Sequence, residues 1–146
     1  RDCGCGRKGC LEMYVSAKGI NYTIKEYIQD RPENSFLQKL ERDNIDGKIL
    51  DSAFDNGENI VIDIYKYTGQ MLGLGLAQIA TILSPEAFIF YGGLSNARYR
   101  ILDFAKDSMN NVLFSFQKNK IKILLSELSD GEAGILGASC LNSLEK

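Results

Sequence analysis

Histidine and tryptophan are both absent from the 146 residues of this sequence. Without histidine, these residues supply neither a histidine general base nor a histidine metal ligand. Proline occurs only twice, which excludes a proline-rich linker or stalk. The 17 basic and 19 acidic residues nearly balance, so a strongly basic nucleic-acid surface is not predicted. With 45% hydrophobic residues, the composition is that of a globular domain with a real core.

Charge is also missing from residues 67–85, so a membrane-spanning helix has to be considered there. A span needs about 20 mostly apolar residues, and this stretch contains Gln70, Gln78 and several glycines. The motif Gly69-x-x-x-Gly73 marks close helix packing, which in water favours a tight core. We therefore predict a buried helix over residues 58–83, with one face through Ile60, Ile64, Tyr67, Met71, Leu74, Ile79 and Leu83.

Helix and strand patterns alternate along the chain, which predicts an α/β fold. Residues 11–29 have helical spacing interrupted at Gly19, and Thr23 with Glu26 has the pattern of a capping box, which predicts two helical pieces. Short apolar runs at residues 87–91 and 121–125 predict strands, the first buried on both faces. Further helices are predicted through Phe36, Leu37 and Leu40, over residues 48–54, from Ser95 as N-cap to about residue 112, and after a capping box at Ser129 and Glu132.

The cysteines are concentrated in one glycine-rich loop, Cys3-Gly4-Cys5-Gly6-Arg7-Lys8-Gly9-Cys10, while Cys140 stands alone. Three thiolates can converge on one ion if the chain turns sharply, and the glycines permit positive-φ turns. Arg7 and Lys8 would offset the negative charge of the thiolates. Zinc prefers four ligands, so the loop supplies three of them, and a turn with free thiols or a redox loop stays open as an alternative. The spacing differs from a secreted disulfide framework and favours the reducing cytoplasm.

The motif Cys3-x-Cys5-Gly6-x-x-Gly9-Cys10-Leu11-Glu12 resembles the signature of the ROK family of bacterial sugar kinases and sugar-responsive repressors. The segment Tyr14-Val15-Ser16-Ala17 matches the stretch that follows this signature. Residues 85–95 resemble the strand and adenosine-contacting turn of the family, and residues 130–138 resemble its closing helix. The resemblance runs in the family's order along nearly the whole chain.

This resemblance implies an actin-like ATPase fold (ribonuclease H-like), of which the chain is the helix-rich C-terminal part. Residues 1–12 would form the zinc loop with a sugar-contacting glutamate, residues 87–95 the strand and nucleotide turn, and residues 130–145 the closing helix. The N-terminal lobe would be absent. In the family a histidine shortly before the first cysteine completes the zinc site, so this chain would start after that ligand.

The resemblance also implies roles for individual residues. Cys3, Cys5 and Cys10 would hold structural zinc, and Glu12 would accept hydrogen bonds from sugar hydroxyls. Gly92 and Gly93 would let ATP approach the backbone. The alternatives are a first-turn acid that favours the helix dipole at Glu12 and a simple strand-to-helix turn at the two glycines. The catalytic aspartate would lie upstream, and Asp46, Asp51, Asp55 and Asp63 are expected on solvated faces or as caps.

Three functions follow as hypotheses. The intact protein would be an ATP- and magnesium-dependent kinase for a hexose or an N-acetylated amino sugar, inactive as this fragment alone. It could instead be a sugar-sensing repressor with an upstream helix-turn-helix, or a zinc-stabilised dimerisation module. The kinase is favoured, as a cytoplasmic homo-oligomer without membrane contact, binding nucleic acid only if that helix-turn-helix exists.

Overall fold

A computed structural model describes residues 1–31, 33–42, 46–92, 97–128 and 132–143 of the chain. The elements alternate as the sequence predicts, and a parallel pair of strands lies among helices. The helices are α1 (Glu12–Val15), α2 (Ala17–Asp30), α3 (Ser35–Arg42), α4 (Gly47–Asp55), α5 (Asn59–Leu83), α6 (Tyr99–Val112) and α7 (Glu132–Ser143), and the strands are β1 (Ala87–Phe90) and β2 (Lys122–Leu125).

The two strands pair in parallel, with Ala87 opposite Lys122 and Phe90 opposite Leu125. A parallel pair needs a long connection, and α6 provides it. The prediction that β1 is buried on both faces is wrong, because Ile89 is 68% exposed. Successive strand residues point to opposite faces, so the neighbours of Ile89 pack against the core while Ile89 faces away from it.

Helix α5 spans most of the core and confirms the predicted long helix. Its buried face differs from the predicted one, because Leu74 and Ile79 are each 40% exposed and Leu83 is 70% exposed. The face that packs inward combines large residues with small ones: Ile60, Val61, Ile64, Tyr65, Thr68, Gly69, Leu72, Gly73, Leu76, Ala77 and Ala80. The prediction followed the largest side chains, whereas the small ones mark the contact with the next helix.

Glycines bring α5 and α6 into backbone contact. A Cβ added at Gly69 would lie 2.6 Å from the Cβ of Phe104, and one at Gly73 would lie 2.6 Å from the Cβ of Ser108. The Ser108 hydroxyl also donates to the carbonyl of Gln70 at 3.0 Å. The glycine pair therefore acts in core packing, as predicted. Within the described part of the chain, every helix lacks the combination of length and apolar character needed to cross a bilayer.

The first helical region breaks at Ser16 rather than at Gly19. Ser16 has extended backbone and caps α2, accepting a hydrogen bond from the N–H of Gly19 at 3.1 Å. The predicted helix start at Thr23 is wrong, because Thr23 lies fully buried in the middle of α2. Gly19 allows the sharp turn, since a Cβ there would lie 2.6 Å from the backbone of Tyr14.

The remaining helices agree in place with the prediction and differ at their ends. Asp46 caps α4 by accepting from the N–H of Lys48 at 3.1 Å. Helix α6 begins at Tyr99, later than predicted. The proposed caps Ser95 and Ser129 lie outside the described residues. Helix α7 corresponds to the predicted closing helix, and a Cβ at its Gly137 would meet open space.

Candidate metal and ligand site

The cysteine loop is closed by its own backbone. The N–H of Cys3 donates to the carbonyl of Arg7 at 2.8 Å, and the N–H of Gly6 donates to the carbonyl of Cys3 at 3.0 Å. Gly6 and Gly9 have φ values of 82° and 74°, which L side chains rarely adopt. Gly4 has no positive φ, so two of the three predicted glycine turns are found.

The three loop cysteines converge, as the sequence predicts. The sulfurs of Cys3, Cys5 and Cys10 all lie within 4.8 Å of one another, and those of Cys5 and Cys10 are 3.5 Å apart. Zinc–sulfur bonds of about 2.3 Å in a tetrahedral site place the sulfurs about 3.8 Å apart. The observed spacing therefore fits three ligands of one such ion. The loop can bind a metal.

The thiols of this loop influence each other's protonation. The backbone N–H of Arg7 lowers the pKa of Cys5, and hydrogen bonds with the Cys10 and Cys3 thiols lower it further. Hydrogen bonds with Cys5 and Cys3 raise the pKa of Cys10 to about 11. Cys5 is therefore the easier of the two thiols to ionise, and its neighbour Cys10 resists ionisation. A bound cation would compensate the charge that causes this resistance.

One of the two basic residues of the loop is engaged with a carboxylate of the same loop. Lys8 pairs with the carboxylate of Asp2 at 3.2 Å, with both side chains at least 80% exposed. This ion pair lies in solvent, where it contributes little to stability. The isolated Cys140 is exposed on α7 and lies outside the convergent group found among the described residues.

Glu12 follows the loop as the first residue of α1, and its side chain is exposed. Its carbonyl accepts from the Ser16 hydroxyl at 2.7 Å and from the Ser16 N–H at 3.2 Å. Leu11, the residue before Glu12, packs against α5. A Cβ added at Gly75 of α5 would lie 2.6 Å from the Leu11 side chain. With four residues, α1 offers only a small dipole. Glu12 nevertheless lies in the first turn of α1, so its position is compatible with the dipole role as well as with ligand binding.

Arg1 organises this region, and the sequence prediction missed it. Its Nε donates to Glu26 Oε1 at 2.8 Å, and Nη2 donates to Thr23 Oγ1 at 2.9 Å. Its Nη1 donates to the carbonyls of Met13 at 2.7 Å and Gly19 at 3.1 Å. The spacing of threonine and glutamate that suggested a capping box instead forms a binding site for this guanidinium. The sequence signal for this guanidinium site was a threonine and a glutamate three residues apart on one helix face.

A second arginine cluster fixes the start of α6, the helix that follows the turn after β1. Arg100 donates from Nε to Asp55 Oδ1 at 2.9 Å, and Tyr99 donates to the same oxygen at 2.8 Å. These hydrogen bonds lower the pKa of Asp55, Arg100 contributing most. Asp51 accepts from Tyr65 at 2.8 Å. Asp51 and Asp55 thus belong to a network that joins α4, α5 and α6. Asp55 is exposed, as expected for a solvated face, whereas Asp51 is partly buried.

The predicted nucleotide turn is described only in part. Gly92 follows the carboxyl end of β1 with a φ of 102°, which favours glycine. Gly93 lies outside the described residues. Ligands of open α/β sheets bind at the carboxyl ends of strands, and Gly92 occupies such a place. Glu12 and Gly92 lie on separate elements, one in α1 and the other after β1.

The chain belongs to the ROK family, whose model matches residues 1–144. A glucokinase of Streptomyces coelicolor is 30% identical over 143 residues, which is 95% of this chain and 45% of that protein. A xylose repressor of Caldicellulosiruptor bescii is 26% identical, over 92% of this chain and 34% of that protein. The chain spans less than half the length of these relatives.

Solved structures place the chain in the same class. A ROK glucokinase from Streptomyces griseus, in complex with glucose and AMPPNP, is 31% identical with a TM-score of 0.77. That match covers 95% of this chain and 46% of the glucokinase chain. ROK sugar kinases have the actin-like ATPase fold, so the predicted fold class is confirmed.

Proposed function

We propose that this chain is the C-terminal part of an ATP- and magnesium-dependent sugar kinase that phosphorylates a hexose or an N-acetylated amino sugar. The observation that carries the proposal is the placement of exposed Glu12 directly after a loop whose three cysteines converge. Identity of 30% to a glucokinase across nearly all of this chain supports the same conclusion.

Glu12 is the proposed sugar contact. A carboxylate accepts short, charge-assisted hydrogen bonds from hydroxyl groups, and a sugar offers several of these on one face. Binding is selective only when the carboxylate is held in place. The hydrogen bonds from Ser16 to the Glu12 carbonyl and the packing of Leu11 on α5 hold the backbone that carries this carboxylate.

Cys3, Cys5 and Cys10 would hold structural zinc, with a fourth ligand from outside this group. Zinc would cross-link the loop and would take no part in the reaction, because structural zinc sites stabilise the folded chain. The loop's own hydrogen bonds already bring the sulfurs together. The free thiols among the described residues agree with a reducing cytoplasm as the proposed location.

Gly92 and Gly93 would form the nucleotide turn, with ATP and magnesium between this part of the protein and an upstream lobe. The positive φ of Gly92 favours glycine, and the missing side chain leaves open the backbone that ATP would approach. No catalytic base is assigned in this chain, since Asp51 and Asp55 already bind Tyr65 and Arg100. Phosphoryl transfer depends on positioning, so this fragment alone is expected to be inactive.

The kinase proposal is tested by ADP release from the full-length protein with magnesium, ATP and a panel of hexoses and N-acetylated amino sugars. We expect release with at least one sugar, and loss of release in Glu12→Ala. If no sugar causes ADP release although a sugar still binds, the result would contradict the kinase and favour the repressor.

The repressor is the second candidate, and the match of the xylose repressor to 92% of this chain supports it. In that case the same residues would bind sugar, and an upstream helix-turn-helix would bind DNA. An upstream phosphate loop and catalytic aspartate would favour the kinase instead. A zinc-stabilised dimerisation module without ligand is the third candidate, and sugar binding that depends on Glu12 would exclude it.

The metal proposal is tested with Cys5→Ser in the full-length protein, with Cys140→Ser as the control because Cys140 lies outside the convergent group. We expect the first variant to lose zinc and to bind sugar more weakly, because the loop that positions Glu12 loosens. The control should keep both properties. Unchanged zinc content and unchanged sugar affinity in Cys5→Ser would contradict the proposal.

A further inference from the structure

We propose that Arg1 is a positioning residue that fixes the Glu12 turn onto α2 and α5. The inference rests on the proposed function, because it assigns the support of the same sugar contact. The Arg1 side chain contacts neither the cysteine sulfurs nor the proposed ligand. The inference therefore makes the position of Glu12 depend on Arg1 as well as on the metal loop.

The burial of Arg1 is unusual for a cation. Its side chain is only 8% exposed, although arginine is rarely buried unless it is paired. All three guanidinium nitrogens donate hydrogen bonds, two of them to the carboxylate of Glu26. Such a fork fixes both distance and orientation, which a single contact does not.

Two aromatic rings lie close to the Arg1 guanidinium. The guanidinium carbon of Arg1 lies 4.6 Å from the ring centre of Tyr14 and 5.8 Å from that of Tyr67. These distances suit cation–π attraction, which strengthens when the cation is removed from water. Tyr14 belongs to α1 and Tyr67 to α5, while Glu26 belongs to α2. The Arg1 side chain therefore joins three helices.

The connection to Glu12 is direct along the backbone. Helix α1 has four residues, too few to be stable alone, so outside contacts decide its orientation. Arg1 binds the carbonyl of Met13, the residue after Glu12, at 2.7 Å. Its own carbonyl accepts from the N–H of Gly9 at 3.0 Å, within the cysteine loop. One residue therefore links the loop to the helix that presents Glu12.

Lysine cannot reproduce this arrangement. Its ammonium carries three donors at a single point, whereas the guanidinium reaches two carbonyls, a hydroxyl and both oxygens of a carboxylate from a planar fork. Arg1→Lys keeps the charge and much of the length of the side chain. The variant therefore removes the geometry while it retains the electrostatic contribution.

The test compares Arg1→Lys with the wild type in the full-length protein, using hydrogen exchange and sugar titration. We expect amides of residues 13–16 to exchange roughly tenfold faster, while those of α5 residues 64–77 keep their rates. The sugar dissociation constant should rise roughly tenfold, with the AMPPNP constant and the zinc content unchanged. Arg31→Lys is the matched control, because Arg31 pairs with Asp63 at 3.8 Å and is 46% exposed.

Unchanged exchange at residues 13–16 would overturn the inference whether or not a sugar binds. Equal weakening of sugar and nucleotide binding would also overturn it, since that result indicates general destabilisation. A wild type that binds no sugar, with faster exchange in the variant, would reject the proposed function and retain the positioning of the Glu12 turn. If Arg1→Lys does not fold, Thr23→Val removes the hydroxyl that accepts from Arg1 and donates to the carbonyl of Gly19, and it should give the same pattern with smaller changes.

Discussion

The clusters around Arg1 and Arg100 use the same groups in different surroundings. Arg1 donates from Nε to Glu26 at 2.8 Å, and Arg100 donates from Nε to Asp55 at 2.9 Å. A tyrosine ring lies within 5 Å of each guanidinium carbon. The Arg1 side chain is 8% exposed and donates to two backbone carbonyls, whereas that of Arg100 is 15% exposed and donates to one, at 3.4 Å. The carboxylate partners Glu26 and Asp55 are 50% and 43% exposed.

This difference indicates that the two halves of the proposed site are supported separately. The Arg1 cluster holds α1 and α2 beside the cysteine loop, where the sugar contact is proposed. The Arg100 cluster holds α4 and α6 after the strand where the nucleotide turn is proposed. Both depend on α5, since Tyr67 contacts Arg1 and Tyr65 binds Asp51.

The largest effect is expected from a change in this shared support. Gly73→Val places a branched side chain where even a Cβ would lie 2.6 Å from that of Ser108. We expect the full-length protein to lose about 3 kcal/mol of unfolding free energy, because the two helices cannot separate without losing contacts elsewhere. Denaturant unfolding measures the loss. Wild-type stability in the variant would contradict the close packing of α5 and α6.

Arg1→Met should give the next largest loss. The variant leaves the carbonyls of Met13 and Gly19 without these donors, while half-exposed Glu26 can regain water. We expect a loss of about 2–3 kcal/mol in the unfolding free energy, from charged hydrogen bonds removed in a buried place. Chemical denaturation of the full-length protein provides the value. A loss no greater than that of Arg31→Met would contradict the buried role.

Arg100→Met should cost less than Arg1→Met, which sharpens the comparison. The carboxylate partners do not cause this difference, because Glu26 is 50% exposed and Asp55 43%, so both become hydrated once the arginine is gone. Arg100, however, donates to a single backbone carbonyl, that of Ala97 at 3.4 Å, whereas Arg1 donates to two at shorter distances. We therefore expect Arg100→Met to lose less unfolding free energy than Arg1→Met, and unfolding curves of the two variants measured side by side test this. A larger loss for Arg100→Met would reverse the ranking of the two clusters.

Much of this architecture could be predicted from sequence. The failures share a cause, which is that local sequence patterns do not show tertiary contacts. Helical spacing located α3, α4 and α5, and the loop cysteines were expected to converge. The Arg1 cluster was missed because Thr23 and Glu26 fit a local capping pattern equally well, and only the tertiary structure brings Arg1 between them. The buried face of α5 was misplaced because the prediction traced it through large residues, although it correctly assigned Gly69 and Gly73 to close packing.

The smallest expected effect concerns the pH dependence of the Arg100 cluster. The pKa of Asp55 is lowered from its ordinary 3.8, so its ion pair stabilises the fold above that pH and is lost as the pH falls through the lowered value. The difference in unfolding free energy between wild type and Asp55→Asn should therefore shrink at acid pH. Unfolding series at pH 6 and below test this, and a difference independent of pH would contradict the ion pair.

The most direct test of the account is titration of the full-length protein and its Glu12→Gln variant with the sugar that supports ADP release. The same samples are titrated with AMPPNP. We predict that sugar affinity falls roughly tenfold or more, because the amide loses the charge-assisted acceptor, while nucleotide affinity stays unchanged. Equal sugar affinity in the two proteins would contradict the role of Glu12 and with it the proposed site.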